Sequence, residues 1–103
     1  MKENLTKQAD EVSQVLKQLA HPTRLKVLCC MLEGEKTVNE LVAYADSSQS
    51  WVSQFLARMK SEGLVTSRKD GIFVHYRIAE PRIKALMEAI YKIYCVSPKG
   101  KKE

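Results

Sequence analysis

Apolar residues recur every three or four positions through the first half of the chain, which predicts helices. The first stretch runs from Leu5 to Leu19. The second starts at Pro22, a residue suited to a first helical turn, and ends before Gly34. Thr37 and Glu40 have the spacing of a capping box, which predicts that a short third helix begins there and runs to about Ala45.

A fourth helix is predicted to begin after the polar turn 46–48, which supplies its N-cap. It is expected to run to about Ser61 and to stop at Gly63. Its apolar residues form one stripe that would face the core: Val52, Phe55, Leu56 and Met59. The opposite side of this helix is therefore left to polar residues.

Beyond Gly63 the hydrophobic period changes from that of a helix to that of a strand. Residues 64–68 and 72–78 read as two strands joined by Lys69-Asp70-Gly71, and Asp-Gly between such runs favours a hairpin. Pro81 then opens a last amphipathic helix. The predicted fold is α+β and mainly α: four helices, a hairpin and a closing helix, which is the order of a winged helix-turn-helix.

The length of 103 residues allows one domain, residues 1–103. Its parts are a pair of dimerisation helices (4–20 and 80–96), the helix-turn-helix (37–61), the wing (64–78) and a flexible basic tail (97–103). The apolar stripes of the first and last helices exceed what one small core requires, so we expect a homodimer.

Charge and composition narrow the class of partner. Seventeen basic residues against 12 acidic ones give a net charge of +5, which favours a polyanion such as DNA. The longest apolar run has six residues, Val27 to Leu32, far short of the about 20 that a membrane-spanning helix needs. Without an apolar leader at the N-terminus, the protein is expected to be cytoplasmic and not bound to a membrane. Three cysteines in a reducing compartment do not suggest a structural disulfide framework.

The polar side of the fourth helix carries short hydroxyl and amide side chains, which reach base edges in the major groove, and one cation. The hairpin adds cations where a wing would meet phosphate. The same pattern on an isolated helix would describe an ordinary solvated face, and the hairpin is what favours DNA. The candidate DNA-binding residues are Ser48, Gln49, Ser50, Ser53, Gln54, Arg58, Arg68, Lys69 and Arg77.

Four stretches, in the same order, resemble the ArsR/SmtB family of winged helix-turn-helix repressors. Residues 20–28 (AHPTRLKVL) resemble its second helix, 48–56 (SQSWVSQFL) its recognition helix, 62–65 (EGLV) the exit from that helix, and 68–71 (RKDG) with Tyr76 its wing. The resemblance implies a homodimer held by the first and last helices. It also implies binding to double-stranded DNA at an imperfect palindromic operator, with release when an inducer reaches the protein.

Many members of that family sense metals, but the residues of their two familiar sites are missing here. Thr37-Val38-Asn39 stands where a Cys-Val-Cys run would be, and residues 82–95 contain neither Asp nor His. His21 and His75 are isolated in the sequence. A tight site needs three or four converging ligands, so no metal and no cofactor are expected.

The cysteines suggest a different signal. Leu28-Cys29 and Tyr94-Cys95 resemble the paired contexts of the persulfide-sensing subgroup of the family, the BigR, SqrR and HlyU type. This implies that Cys29 and Cys95 are the redox-sensing pair, and that a reactive sulfur species or an oxidant acts as inducer by bridging them and weakening DNA binding. Cys30 is expected to pack in the core.

Other interpretations remain open at this point. Cys29 continues an apolar stripe, so it could be a small core residue of a metal-responsive or inducer-independent regulator of the same family. A redox enzyme is not expected, because there is no Cys-x-x-Cys motif and no base beside a cysteine. A protein-protein adaptor would bind duplex DNA without the salt dependence that phosphate contacts produce.

Overall fold

A computed structural model describes residues 2–95, and it describes side chains from residue 4 onwards. The predicted tail 97–103, and the last residue of the predicted helix 80–96, lie outside the described residues. The elements are α1 (Lys2–Leu19), α2 (Pro22–Cys30) with a 3-10 turn (Met31–Glu33), β1 (Lys36–Thr37), α3 (Val38–Ala45), α4 (Gln49–Ser61), β2 (Val65–Asp70), β3 (Phe73–Ile78) and α5 (Pro81–Tyr94).

The helix starts follow the local sequence. At α3 the capping box is complete: Thr37 N–H donates to the Glu40 carboxylate at 2.8 Å, and Glu40 N–H donates to the Thr37 hydroxyl at 3.2 Å. At α4 the hydroxyl of Ser48 accepts a hydrogen bond from Trp51 N–H at 3.1 Å. These side chains satisfy donors that would otherwise be free in the first turn. Both predicted caps are confirmed.

The sheet has one more strand than the sequence predicts. Its order is β1-β3-β2 and both pairings are antiparallel. The additional strand, β1, consists of Lys36 and Thr37, which pair with Tyr76 and His75. Two residues are too few to show a hydrophobic period, so this strand could not be read from the sequence.

The hairpin turn is displaced from the predicted position. Asp70 pairs with Phe73, so the turn consists of Gly71 and Ile72, while Lys69 and Asp70 belong to β2. The predicted connection 69–71 was therefore wrong at both ends. Gly71 has a φ of 67°, and a residue without Cβ adopts such a value freely at the first position of a two-residue turn.

The core lies where α2, α3 and α4 meet, and it is closed by the sheet and α5. The four apolar residues of the α4 stripe are all buried, as predicted. Leu28 and Leu41 are fully buried against them, and Ile83 and Met87 of α5 complete the cluster. Because one side of α4 is fixed in this core, its other side is held outwards in a defined orientation.

Helix α1 leaves much of its apolar stripe uncovered. Leu5, Val12 and Leu16 are 63%, 41% and 51% exposed, whereas Leu19 at the end of the helix is buried. The exposed residues line a hollow along α1 together with Ala9. An apolar surface of this kind is typical of a contact with another molecule.

Candidate DNA-binding face and thiol site

The outer face of α4 presents the polar residues that were selected from the sequence. Gln49, Ser50 and Gln54 are exposed and Ser53 is half-buried. Their spacing of three to five residues places them on the same side of the helix, opposite the buried stripe. Ser48 is exposed at the start of the helix, but its hydroxyl is occupied by the cap. The Ser50 hydroxyl shares a hydrogen bond with the Ser48 hydroxyl at 3.5 Å. The face therefore offers two amides and the hydroxyls of Ser50 and Ser53.

Arg58 lies near the end of α4 and is held by an acidic neighbour. Its Nε donates to the Glu62 carboxylate at 3.0 Å. The pair is one helical turn apart and partly exposed, so it contributes only about 0.3–0.5 kcal/mol. A phosphate could therefore compete with Glu62 for this guanidinium.

The three wing cations do not share one face of the sheet. Arg68 lies opposite His75 and Arg77 opposite Thr66, which places both arginines on one side. Lys69 lies opposite Val74, on the other side. The structure therefore brings together Arg68 and Arg77 but separates them from Lys69.

Arg68 is also engaged by a carboxylate from outside the wing. Its Nε lies 2.9 and 3.0 Å from the two carboxylate oxygens of Glu35, and one terminal nitrogen lies 2.9 Å from the same group. Within residues 4–95, Lys69 and Arg77 are exposed and form no ion pair. These two side chains are the cations of the wing that need not break an existing contact.

An aromatic cluster fixes the first turn of α4 to the start of α2. The ring of Phe55 lies 4.7 Å from His21 and 5.0 Å from Trp51, between ring centres. The guanidinium of Arg24 lies 4.9 Å from the centre of the Phe55 ring. Trp51 remains 44% exposed, at the edge of the core. The cluster holds the recognition helix against α2, the helix that carries Cys29.

The two cysteines of the predicted sensing pair open onto the same cavity. Cys29 is half-buried in α2 and Cys95 is exposed at the C-terminal cap of α5. Both line a cavity of about 280 Å³, with Tyr44 and Tyr91 among the other lining residues. A second cavity, of about 610 Å³, reaches Cys29 from the side of the 3-10 turn. Cys29 is therefore accessible from two directions.

Cys30 is different from its neighbour. It lies in the core and is only 5% exposed, which confirms the sequence-based expectation that it packs there. Burial raises the pKa of its thiol, and nearby Lys36 offsets part of this effect. Cys30 is accordingly unsuited to attack a sulfur donor.

Tyr44 of α3 is a member of this site that sequence reasoning missed. Its hydroxyl donates a hydrogen bond to the Cys29 sulfur at 3.6 Å. That hydrogen bond, together with partial burial, raises the pKa of Tyr44 to about 12. The two residues are 15 positions apart on different helices, so no local pattern links them.

Two features are absent from the described part of the chain. Within it, no three His, Cys, Asp or Glu side chains are grouped so that they could hold a metal ion. Nor does any of its helices combine the length and apolar character needed to cross a membrane.

Helices α3 and α4, followed by an antiparallel wing, define a winged helix-turn-helix DNA-binding protein, as predicted. Residues 21–67 match the family model "Bacterial regulatory protein, arsR family". The biofilm growth-associated repressor of Agrobacterium fabrum is 41% identical over 91 residues, which is 88% of this chain and 78% of that protein.

Solved structures lead to the same group. The repressor BigR from Xylella fastidiosa aligns with a TM-score of 0.86 at 35% identity, covering 94% of this chain and 99% of BigR. Reduced HlyU from Vibrio cholerae aligns with a TM-score of 0.82 at 34% identity, covering 90% of this chain and 98% of HlyU. The chain belongs to the ArsR family of bacterial regulatory proteins, and it is a transcriptional regulator rather than an enzyme.

Proposed function

We propose that this regulator is a homodimeric repressor that leaves an imperfect palindromic operator when a persulfide or an oxidant joins Cys29 and Cys95 in a disulfide or a sulfur-bridged link. The observation that carries the proposal is the shared cavity: two cysteines 66 positions apart in the sequence line one space of about 280 Å³. A relative of the chain is known in a form described as reduced, which fits a regulator whose thiols change state.

The dimer is supported by the uncovered apolar side of α1. Leu5, Val12 and Leu16 would be covered by the same helix of a second copy, since a two-fold contact pairs one surface with itself. Such an arrangement presents α4 twice, about 34 Å apart, to successive major grooves. The net charge of +5 per chain adds attraction to the phosphates.

Within each half-site, the face of α4 is proposed to read bases. Gln49 or Gln54 offers the amide that binds adenine with two hydrogen bonds, and Ser50 and Ser53 offer short hydroxyls. Lys69 and Arg77 would contact phosphate directly. Arg58 and Arg68 would do so in competition with Glu62 and Glu35.

The sulfur chemistry requires only a small persulfide, R–S–SH, as inducer. One cysteine thiolate attacks the terminal sulfur of the donor, the donor S–S bond breaks, and RS⁻ leaves with the electron pair. The second thiolate then attacks the cysteine-bound sulfur of the new persulfide, forms a disulfide and expels HS⁻. If both cysteines are first persulfidated, the same displacement of HS⁻ gives a trisulfide. The two thiols are oxidised and the sulfur of the donor is reduced to sulfide.

A bridge would act on DNA binding through the positions of the helices it joins. Cys95 ends α5, a proposed dimerisation helix, whereas Cys29 lies in α2, which packs against α3 and α4. Linking the two sulfurs would change the angle of the helix-turn-helix relative to the two-fold axis. Because both half-sites must be met in register, a small rotation lowers affinity for both at once.

The proposal is tested by fluorescence anisotropy. The labelled duplex is an operator that the reduced protein has selected from a random pool. We expect a persulfide donor to lower the operator affinity of the wild type. Cys95→Ser should bind the operator with unchanged affinity before treatment and fail to form the bridge. The donor should therefore lower its affinity by a factor at least about tenfold smaller than in the wild type. Cys30→Ser is the matched control and should respond like the wild type. Full release of Cys95→Ser by the donor would contradict the proposed pair.

One observation favours a second candidate, an inducer-independent regulator of the same family. Cys29 packs against the core cluster, as a small apolar residue would. In that case the donor would leave the anisotropy unchanged and all three thiols unmodified.

A further inference from the structure

The two sensing cysteines occupy different electrostatic surroundings, although they share a cavity. Cys29 receives a hydrogen bond at its sulfur, from the Tyr44 hydroxyl at 3.6 Å. Within residues 4–95 the Cys95 sulfur has no hydrogen bond, and it lies at the carbonyl end of α5. That end of a helix disfavours negative charge. In this part of the chain, Cys29 therefore has a hydrogen-bond donor at its sulfur that Cys95 lacks.

We propose that Tyr44 is a positioning residue for the sensor, whose hydroxyl makes Cys29 the sulfur that attacks the donor and leaves Cys95 to close the bridge. Only the second half of this inference, that Cys95 closes the bridge, rests on the proposed function. The first half, the unequal reactivity of the two thiols, is a property of the reduced protein without DNA.

The physical reason is that a hydrogen bond to a charged acceptor is stronger than one to a neutral acceptor. The Tyr44 hydroxyl therefore stabilises the thiolate of Cys29 more than its thiol. The raised pKa of Tyr44, about 12, means that the hydroxyl keeps its proton and remains a donor throughout the neutral range. In the displacement described above, the attacking thiolate is then that of Cys29, and RS⁻ is the leaving group.

Neighbouring charges do not account for the same preference. The charged side chains that line the two cavities are Lys26 from α2, Glu33 from the 3-10 turn, and Glu88 and Lys92 from α5. Two are acidic and two are basic, so they nearly balance. The hydroxyl from α3 is the directed contact, and it also links the charge of Cys29 to the first helix of the helix-turn-helix.

The variant that tests this is Tyr44→Phe, which removes one oxygen and keeps the ring. The matched control is Tyr91→Phe: Tyr91 lines both cavities, but in the described part of the chain its hydroxyl makes no hydrogen bond. Reduced full-length protein is alkylated with iodoacetamide from about pH 6 to pH 10, and each cysteine is quantified by peptide mass spectrometry. Cys95 serves as the reference in the same tube.

In the wild type we expect Cys29 to be alkylated faster than Cys95 at neutral pH. Tyr44→Phe should slow the alkylation of Cys29 about three- to tenfold at pH 7, since one net hydrogen bond is lost, and should slow it much less at high pH. The difference narrows at high pH because a less stabilised thiolate is more nucleophilic. Loosened packing would instead change the rate at every pH. Tyr91→Phe should match the wild type.

Two results would overturn the proposal: a Cys29 profile unaffected by Tyr44→Phe, or a wild type in which Cys95 reacts faster. Neither measurement contains DNA or a persulfide, so both are independent of the proposed function. If the alkylation result holds but the donor fails to release the operator, the proposed function fails and the assignment of Tyr44 to Cys29 stands. If Tyr44→Phe slows the alkylation of Cys29, but the donor still releases the operator from this variant at the wild-type rate, the second half of the proposal is contradicted.

Discussion

The ion pair between Glu35 and Arg68 restrains a cation that the wing would otherwise offer to DNA. We predict that Glu35→Gln tightens operator binding by the reduced protein. The pair is partly exposed, with contacts of 2.9 and 3.0 Å, so breaking it costs about 0.2–1 kcal/mol per chain. Both chains of a dimer contribute, giving about 0.4–2 kcal/mol, or roughly two- to thirtyfold in affinity.

The control for this prediction is Glu33→Gln. This variant removes the same negative charge as Glu35→Gln, but Glu33 is paired with Lys36, at 3.2 Å, which lies outside the wing. Anisotropy titrations at several salt concentrations separate the two effects. If Arg68 gains a phosphate, log affinity should fall more steeply with log salt, by about 0.9 per contact and about 1.8 per dimer.

A third variant completes the cycle. Adding Glu35→Gln to Arg68→Gln should raise the operator affinity no more than Glu33→Gln raises it in the wild type, because no guanidinium is left to release. If Glu35→Gln binds the operator no tighter than Glu33→Gln, then Arg68 does not reach phosphate and the wing contact assigned to it is wrong.

Two other predictions concern the dimer and the start of the helix-turn-helix. Leu16→Glu, in the uncovered stripe of α1, should weaken dimerisation at least about 100-fold in sedimentation, since each copy loses a leucine that the dimer would bury. Gln14→Glu, on the opposite side of the helix, should leave the dimer intact. A dimeric Leu16→Glu would contradict the assigned interface. The hydrogen bond from Thr37 N–H lowers the pKa of Glu40, so the folded state gains stability from this carboxylate at neutral pH and loses it as the pH falls through the range below about 4.5. Urea unfolding should therefore show Glu40→Gln less stable than the wild type at pH 7, with the difference narrowing towards pH 3; a constant difference would refute the role of the charge.

Those parts of the fold that depend on neighbouring residues could be predicted from the sequence. The caps at Thr37 and Ser48, the buried stripe of α4 and the order of elements all follow from spacing over a few positions. The turn was misplaced because Asp-Gly marks a hairpin without fixing its register, which strand pairing decides.

The site was predictable in its residue types but not in its contacts. The partner of Arg68 is 33 positions away, and the donor to Cys29 is 15 positions away on another helix. Such contacts arise only when elements pack, so periodicity and capping rules carry no information about them. The sequence predicts Arg68 as a cation that meets DNA phosphate, and its pairing with Glu35 became visible only in the structure.

The account as a whole depends on the link between the two cysteines and the operator. The most direct measurement takes samples during treatment with a persulfide donor. It compares the fraction of chains in which the Cys29 and Cys95 peptides are joined through sulfur with the fraction of operator released. We expect the two fractions to rise together and to fall together when a reductant is added. Release with the peptides unjoined, or joined peptides on a protein that still holds DNA, would contradict the mechanism.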